Sequence, residues 1–208
     1  MKQFAKLISR IIENLPELDR EAMQYWIEMP LALKVVLSRL TIPHQWYEID
    51  GVIYFSVTSD GTAGEDWINR LERKGCCVMD DAKQILLSSE FKPTNGVTTE
   101  VAVLRGTCWP NQYRTTREVR FEARKRAFFE PSIEEACLIR EKLPDDSIEV
   151  MGFVSIITMH EPIHAIDGKP FLLCTSRSDT TPVLSSRYDR PGREWDRNSA
   201  FAFVASKS

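Results

Sequence analysis

The dipeptide Asp50-Gly51, set between Trp46–Ile49 and Val52–Val57, constrains this chain more than any other local feature. Both flanking runs are β-prone, and Asp-Gly supplies the positive φ angles of a type I′ turn, so an antiparallel hairpin with a fixed register is predicted. A lone hairpin is marginal in water, so it must either close against the N-terminal region or join a larger sheet.

Helices are predicted on both sides of it. Phe4, Leu7, Ile8, Ile11 and Ile12 recur at helical spacing and predict an amphipathic opening helix that ends at Leu15-Pro16. A second helix through Ala22, Tyr25 and Trp26 and a third from Pro30, with Leu33, Val36, Leu37 and Leu40 inward, complete a helical cluster. Further on, Thr62-Ala63-Gly64-Glu65 matches a capping box, with Trp67, Ile68 and Leu71 on one face and Gly75 as the stop. Asp80–Leu87 and Thr116–Ala127 read as helices, and Ser132-Ile133-Glu134-Glu135 opens another through Ala136, Leu138, Ile139 and Leu143. Val97–Leu104 reads as a strand.

After Gly152 the texture changes. Phe153–Met159, Phe171–Thr175, Val183–Tyr188 and Phe201–Ala205 are short β-prone runs separated by turn residues, which predicts a four-strand antiparallel meander. The expected fold is therefore α+β. A helical region plus β-hairpin occupies residues 1–58, and residues 59–208 form a domain of helices packed on a mostly antiparallel sheet ending in the meander. Its core is expected to include Leu7, Ile11, Trp67, Leu71, Ile85, Val103, Leu138, Ile156, Leu172 and Phe203.

Several function classes are disfavoured by totals. With 43% hydrophobic and 27% charged residues the chain can bury a core, and a net charge of -3 offers no global attraction to nucleic acid or anionic lipid. Cys76, Cys77, Cys108, Cys137 and Cys174 form no Cys-x-x-Cys pair and read as reduced thiols, with Cys137 a small core residue. Lys6 and Arg10 interrupt the opening segment as no secretory signal would allow, and no run approaches the ~20 apolar residues of a membrane span. A soluble, cytoplasmic protein without membrane contact is the expectation.

The segments GEDWINRLERKG, AKQILLSSEF, EEACLIREKL, MGFVSIITMHEPI and RPGREWDRNSAFAFV resemble a family of small bacterial proteins that has no established activity. The resemblance covers roughly residues 60 to 208 and implies a recurring bacterial module, with no catalytic residue carried over.

One enzymatic pattern is present. His160-Glu161-Pro162-Ile163-His164 matches H-E-x-x-H, in which a helical turn aligns two zinc-binding imidazoles. A β-type run leads into it, however, and Pro162 inside a helix would cost about 3 kcal/mol. On an extended chain the two imidazoles would stand roughly 13 Å apart, too far for one zinc. The segment is therefore read as a strand end with His160 partly buried. No cofactor or metal is expected, and a metal- or histidine-dependent hydrolase using His160, Glu161 and His164 is the alternative.

The predicted meander brings two polar loops to one end of the sheet. The first holds His160, Glu161, His164 and Asp167, and the second Arg187, Tyr188, Arg190, Arg193, Glu194, Trp195, Asp196 and Arg197. Arginines beside an indole can grip a phosphate, a carboxylate, a sugar or a peptide. His160, Glu161, Asp167, Arg190, Arg193 and Trp195 are thus the candidate binding residues. The expected function is a non-enzymatic binding or regulatory module for a protein, peptide or small anionic ligand. A basic stripe, Arg114, Arg117, Arg120 and Arg124 with Lys125 and Arg126, offers nucleic-acid binding as a second alternative. Glu118 and Glu122 dilute it, and Glu122 is spaced to pair with Arg126.

Overall fold

The computed structural model describes residues 2–13, 17, 19–31, 45–164, 168–178, 180–190 and 192–207. The chain divides into two compact units, Met1–Gln45 and Trp46–Ser208. The first contains α1 (Lys2–Glu13) and α2 (Arg20–Glu28), the latter capped by the Asp19 carboxylate, which accepts from the Ala22 N–H at 2.8 Å. Ile11 is half-buried, and α2 buries none of its side chains. Pro30 and Leu31 are helical, as expected of the third helix, whose remaining core positions, like the Leu7 side chain, lie outside the described residues.

In the second unit the hairpin forms as predicted. β1 (Tyr47–Ile49) and β2 (Val52–Asp60) meet at Asp50 and Gly51, with φ of 51° and 74°. β2 pairs with β4, so the hairpin belongs to the main sheet and the units divide at 45/46, whereas the sequence reading grouped it with the N-terminal helices up to residue 58. The remaining elements are α3 (Gly64–Arg73), β3 (Cys77–Val78), α4 (Asp80–Leu86), β4 (Asn95–Arg105), α5 (Thr116–Lys125), α6 (Glu134–Lys142), α7 (Asp145–Val150), β5 (Ser155–Thr158), β6 (Ile163–His164), β7 (Pro170–Ser176), β8 (Val183–Tyr188) and β9 (Ser199–Lys207). Together they make an α+β fold around one mixed, mostly antiparallel sheet of order β1-β2-β4-β9-β5-β7-β8-β3, with β6 paired to β7.

The predicted meander is realised in its first three strands only. β5, β7 and β8 are antiparallel neighbours, but β9 lies between β4 and β5, antiparallel to the first and parallel to the second. The reason is burial: Ala200, Phe201, Ala202, Phe203 and Val204 are all at 1% exposure or less, and a strand apolar on both faces gains most in the middle of a sheet covered on both sides. The edge beyond β8 is taken by the two-residue β3.

Two apolar layers result. On one face Ile53, Val103, Ile156 and Leu173 pack with Trp67, Leu71, Ile85 and Ile139 of the helices. On the other, Ile157, Leu172, Phe201 and Phe203 pack with Val119 and Ala123 of α5 and with Trp195. Every predicted core position of this unit is buried. The two expected capping boxes diverge. At α6 only half of the box forms: the Glu135 carboxylate accepts the Ser132 N–H at 2.6 Å and its hydroxyl, while the N-cap is Ile133, which has no side-chain cap bond. At α3 the cap is Ala63, because the Thr62 hydroxyl donates to Asp60 instead. No helix among the described residues is long and apolar enough to cross a membrane.

Candidate functional site

Because β9 starts beside the start of β5 (Ser155 opposite Ser199) while β8 ends at the other end of the sheet, the segment 189–198 must travel the length of a sheet face. It separates the predicted site residues. His160 and Glu161 stay at the end of β5, Arg190 stays near the end of β8, and Arg193 and Trp195 are carried across the face. Asp167 lies outside the described residues.

His160 is 1% exposed and both ring nitrogens are engaged. Nε2 accepts the Leu173 N–H at 2.9 Å, which fixes the tautomer with the proton on Nδ1, donated to the Glu161 carbonyl at 2.7 Å. Burial holds its pKa down at about 4, assisted by the Arg120 charge. A neutral imidazole so occupied has no lone pair to give a zinc ion, and it sits at a strand end with His164 exposed on β6 beyond it.

The basic stretch 114–126 divides into residues spent on internal bonds and residues, Arg117, Arg124 and Lys125, that stay exposed. Arg114 is 3% exposed and donates to the carbonyls of Gly106 at 2.6 Å and of Trp195 and Trp109, both at 2.9 Å. Arg120 binds the His160 carbonyl at 2.7 Å and pairs with Glu130, and Arg126 pairs with Glu122 at 2.9 Å in the predicted i,i+4 geometry. Arg117 projects into solvent beside Glu118.

Arg193 and Trp195, by contrast, meet residues that the sequence reading did not place with them. The Trp195 indole is 3% exposed, packs edge-on against Phe201 and donates from Nε1 to the Thr116 hydroxyl at 3.0 Å, which in turn donates to Asp189. The Arg193 guanidinium lies over that indole, 4.4 Å from the ring centroid, and donates to the Tyr188 carbonyl at 3.0 Å. Arg193 thus sits on a rigid platform, and among the described residues the Tyr188 carbonyl is the one acceptor its N–H groups reach.

The sheet face beneath is unusual in being small and polar. Ser155 and Ser199 are neighbours on β5 and β9, with hydroxyls 3.2 Å apart, and Ser176 opposes Ser155 on β7, 3.3 Å from the buried Cys174 sulfur. Ser185 opposes Cys174 on β8 and buries a hydroxyl that has no partner among the described residues. Arg187 projects from the same face, paired across from Leu172 and in contact with the Cys174 thiol. A cavity of about 180 Å³ is lined by Ser155, Ser176, Ser199, Arg187, Arg193 and Trp195, and by Arg177 and Asp196 as well.

Its charge is unbalanced. Arg177 is matched by Glu149 at 3.0 Å, but among the described residues no carboxylate lies within ion-pair distance of Arg187 or Arg193. Burial, and then the Arg187 charge, hold the Arg193 guanidinium below its ordinary pKa, with Asp196 acting the other way and Arg190 adding to the depression. The signal available in sequence was the serines themselves, which recur at inward positions of β5, β7, β8 and β9 where apolar residues would suffice for packing.

Two of the larger concavities differ in character. One of about 620 Å³ is mainly apolar, between Ile85 and Leu87 of the α4 end and Ile163 and Phe171, with Asp81 already bonded to Ser186. The other, about 700 Å³, lies at the start of α5 and contains Arg190 and Arg117 together with Asp189 and Glu118. Comparison of the chain with protein-family models, with curated proteins and with solved structures returned no match.

Proposed function

We propose that this protein is a non-enzymatic binding module that takes a small anionic ligand between Arg187 and Arg193. One observation carries the reading: two guanidiniums share a small, serine-lined cavity, and among the described residues no carboxylate is paired to either. Placing like charges together in a partly desolvated site is unfavourable, and an anion between them reverses the sign of that interaction. Guanidinium forks and hydroxyls are the donors that planar carboxylates and phosphates use, and the indole under Arg193 fixes one fork in advance. The volume, about 180 Å³, is below the range of drug-sized pockets and suits a metabolite of a few heavy atoms.

The catalytic alternative draws less support, because the imidazole it needs, His160, is spent on two internal hydrogen bonds. All five cysteines are free thiols, which favours a reducing, cytoplasmic setting for the module.

The test is calorimetry and thermal denaturation of the full chain with inorganic phosphate and a panel of small mono- and dicarboxylates, beside Arg187→Gln and Arg193→Gln. At least one anion is expected to raise the melting temperature of the wild type. Ligand at about 100 times its Kd adds roughly 2.7 kcal/mol of stability, and each substitution should weaken binding by about tenfold or more. An unchanged melting temperature with every anion, or binding by both variants as tight as the wild type's, overturns the reading.

A further inference from the structure

We propose that the ligand of this cavity is an acidic α-amino acid, its two carboxylates facing Arg187 and Arg193 and its ammonium facing Asp196. The inference rests on the anion-binding reading above and adds the identity of the ligand class. Three groups at the site lack a charge partner among the described residues: the two guanidiniums, and the carboxylate of Asp196, which lines the cavity but is exposed and makes no side-chain hydrogen bond or ion pair. Its charge is felt by Arg193 without closing to an ion pair. Arg177, the remaining ion of the lining, is already paired with Glu149.

A ligand that satisfies all three must carry two anionic groups and one cationic group, closely spaced. Inorganic phosphate offers nothing to Asp196 and would be repelled by it. A simple dicarboxylate satisfies the arginines and leaves Asp196 facing like charge, while a neutral amino acid leaves one guanidinium unmatched. Aspartate and glutamate meet every group, and their few heavy atoms fit about 180 Å³. The hydroxyls of Ser155, Ser176 and Ser199 can both donate and accept, so they can complete the hydrogen bonding of whichever carboxylate oxygens and ammonium protons reach them.

Titration calorimetry on the full chain with L-aspartate, L-glutamate, succinate, glutarate, L-alanine and inorganic phosphate decides it. The acidic amino acids are expected to bind at least about tenfold more tightly than the matching diacids, a gap of roughly 1.4 kcal/mol. Asp196→Asn, a change at an exposed position that should not disturb folding, is expected to abolish that preference by weakening the amino acids and strengthening the diacids. Succinate binding as tightly as aspartate, phosphate binding more tightly than either amino acid, or an Asp196→Asn variant that keeps the preference would overturn the ligand assignment while leaving the anion site standing. Absence of heat and of thermal stabilisation with all six compounds would overturn the anion site itself.

Discussion

The backbone N–H of Leu173 donates to Nε2 of His160 at 2.9 Å, so an imidazole at a strand end serves as an acceptor for the adjacent strand's backbone. Protonation of that nitrogen destroys the bond and places a charge in an apolar layer, which is why burial depresses the pKa from 6.5 to about 4. Between those values the unfolded chain binds a proton that the folded chain does not. The stability contributed by neutral His160 is therefore complete above pH 6.5 and is lost as pH falls towards 4, a total of about 3 kcal/mol. Urea unfolding at several pH values should show this slope in the wild type and a shallower one in His160→Gln. An NMR titration that finds the His160 ring protonating near pH 6.5 would refute the assignment.

That histidine also marks the limit of what the sequence discloses. Its position at the end of a β-run was legible, because Phe153–Met159 and Pro162 are local signals, and so were the Asp50-Gly51 turn and the Gly75 stop of α3, where φ is 81°. The neighbour of β9 was not legible from local pattern, since strand order is decided by long-range burial. The Ala-Phe-Ala-Phe-Val run, apolar on both faces, was the available clue to a central strand. The error propagated: with β9 placed beside β8, Arg193 and Trp195 were expected beside His160, whereas the crossing segment sets them over Ser155, Ser176 and Ser199.

Gly64 opens α3 where the end of α4 passes very close. A Cβ at this position would stand 1.9 Å from the Leu86 carbonyl oxygen, a backbone atom that cannot swing aside. Gly64→Ala should therefore destabilise the protein by about 3 kcal/mol or more, beyond the usual cost of overpacking and against the usual helix preference for alanine. Equilibrium denaturation measures it, and a loss below about 1 kcal/mol would mean that α3 and α4 separate easily.

Arg114 is a buried cation with no carboxylate partner among the described residues, held by the carbonyls of Gly106, Trp109 and Trp195 and by the Asn111 side chain at 3.1 Å. Charged donors to buried acceptors contribute about 1.5–3 kcal/mol each, and removing them strands the carbonyls. Arg114→Met is expected to cost at least about 3 kcal/mol. Arg114→Lys should recover only part, because one ammonium cannot reproduce the spread of the guanidinium. Arg117→Ala, at an exposed residue of the same basic stretch, should stay within about 0.5 kcal/mol of wild type. Equal effects at 114 and 117 would contradict the division of the stripe into a structural and a solvated part.

Trp195 joins this framework to the proposed site. Its ring carries Arg193 on one side and packs on Phe201, while its Nε1–H reaches the Thr116 hydroxyl at 3.0 Å. Trp195→Phe keeps an aromatic surface but removes the hydrogen bond and part of the platform, so a stability loss of about 1–2 kcal/mol is expected. Affinity for the anion should fall by about three- to tenfold, because Arg193 would have to be ordered on binding instead of beforehand. Thr116→Val removes the acceptor while leaving the indole in place, and should reproduce the stability loss with a smaller loss of affinity. Calorimetry and urea unfolding on the two variants separate these effects, and a Trp195→Phe protein that binds every anion as the wild type does would show that the stacked arginine takes no part in recognition.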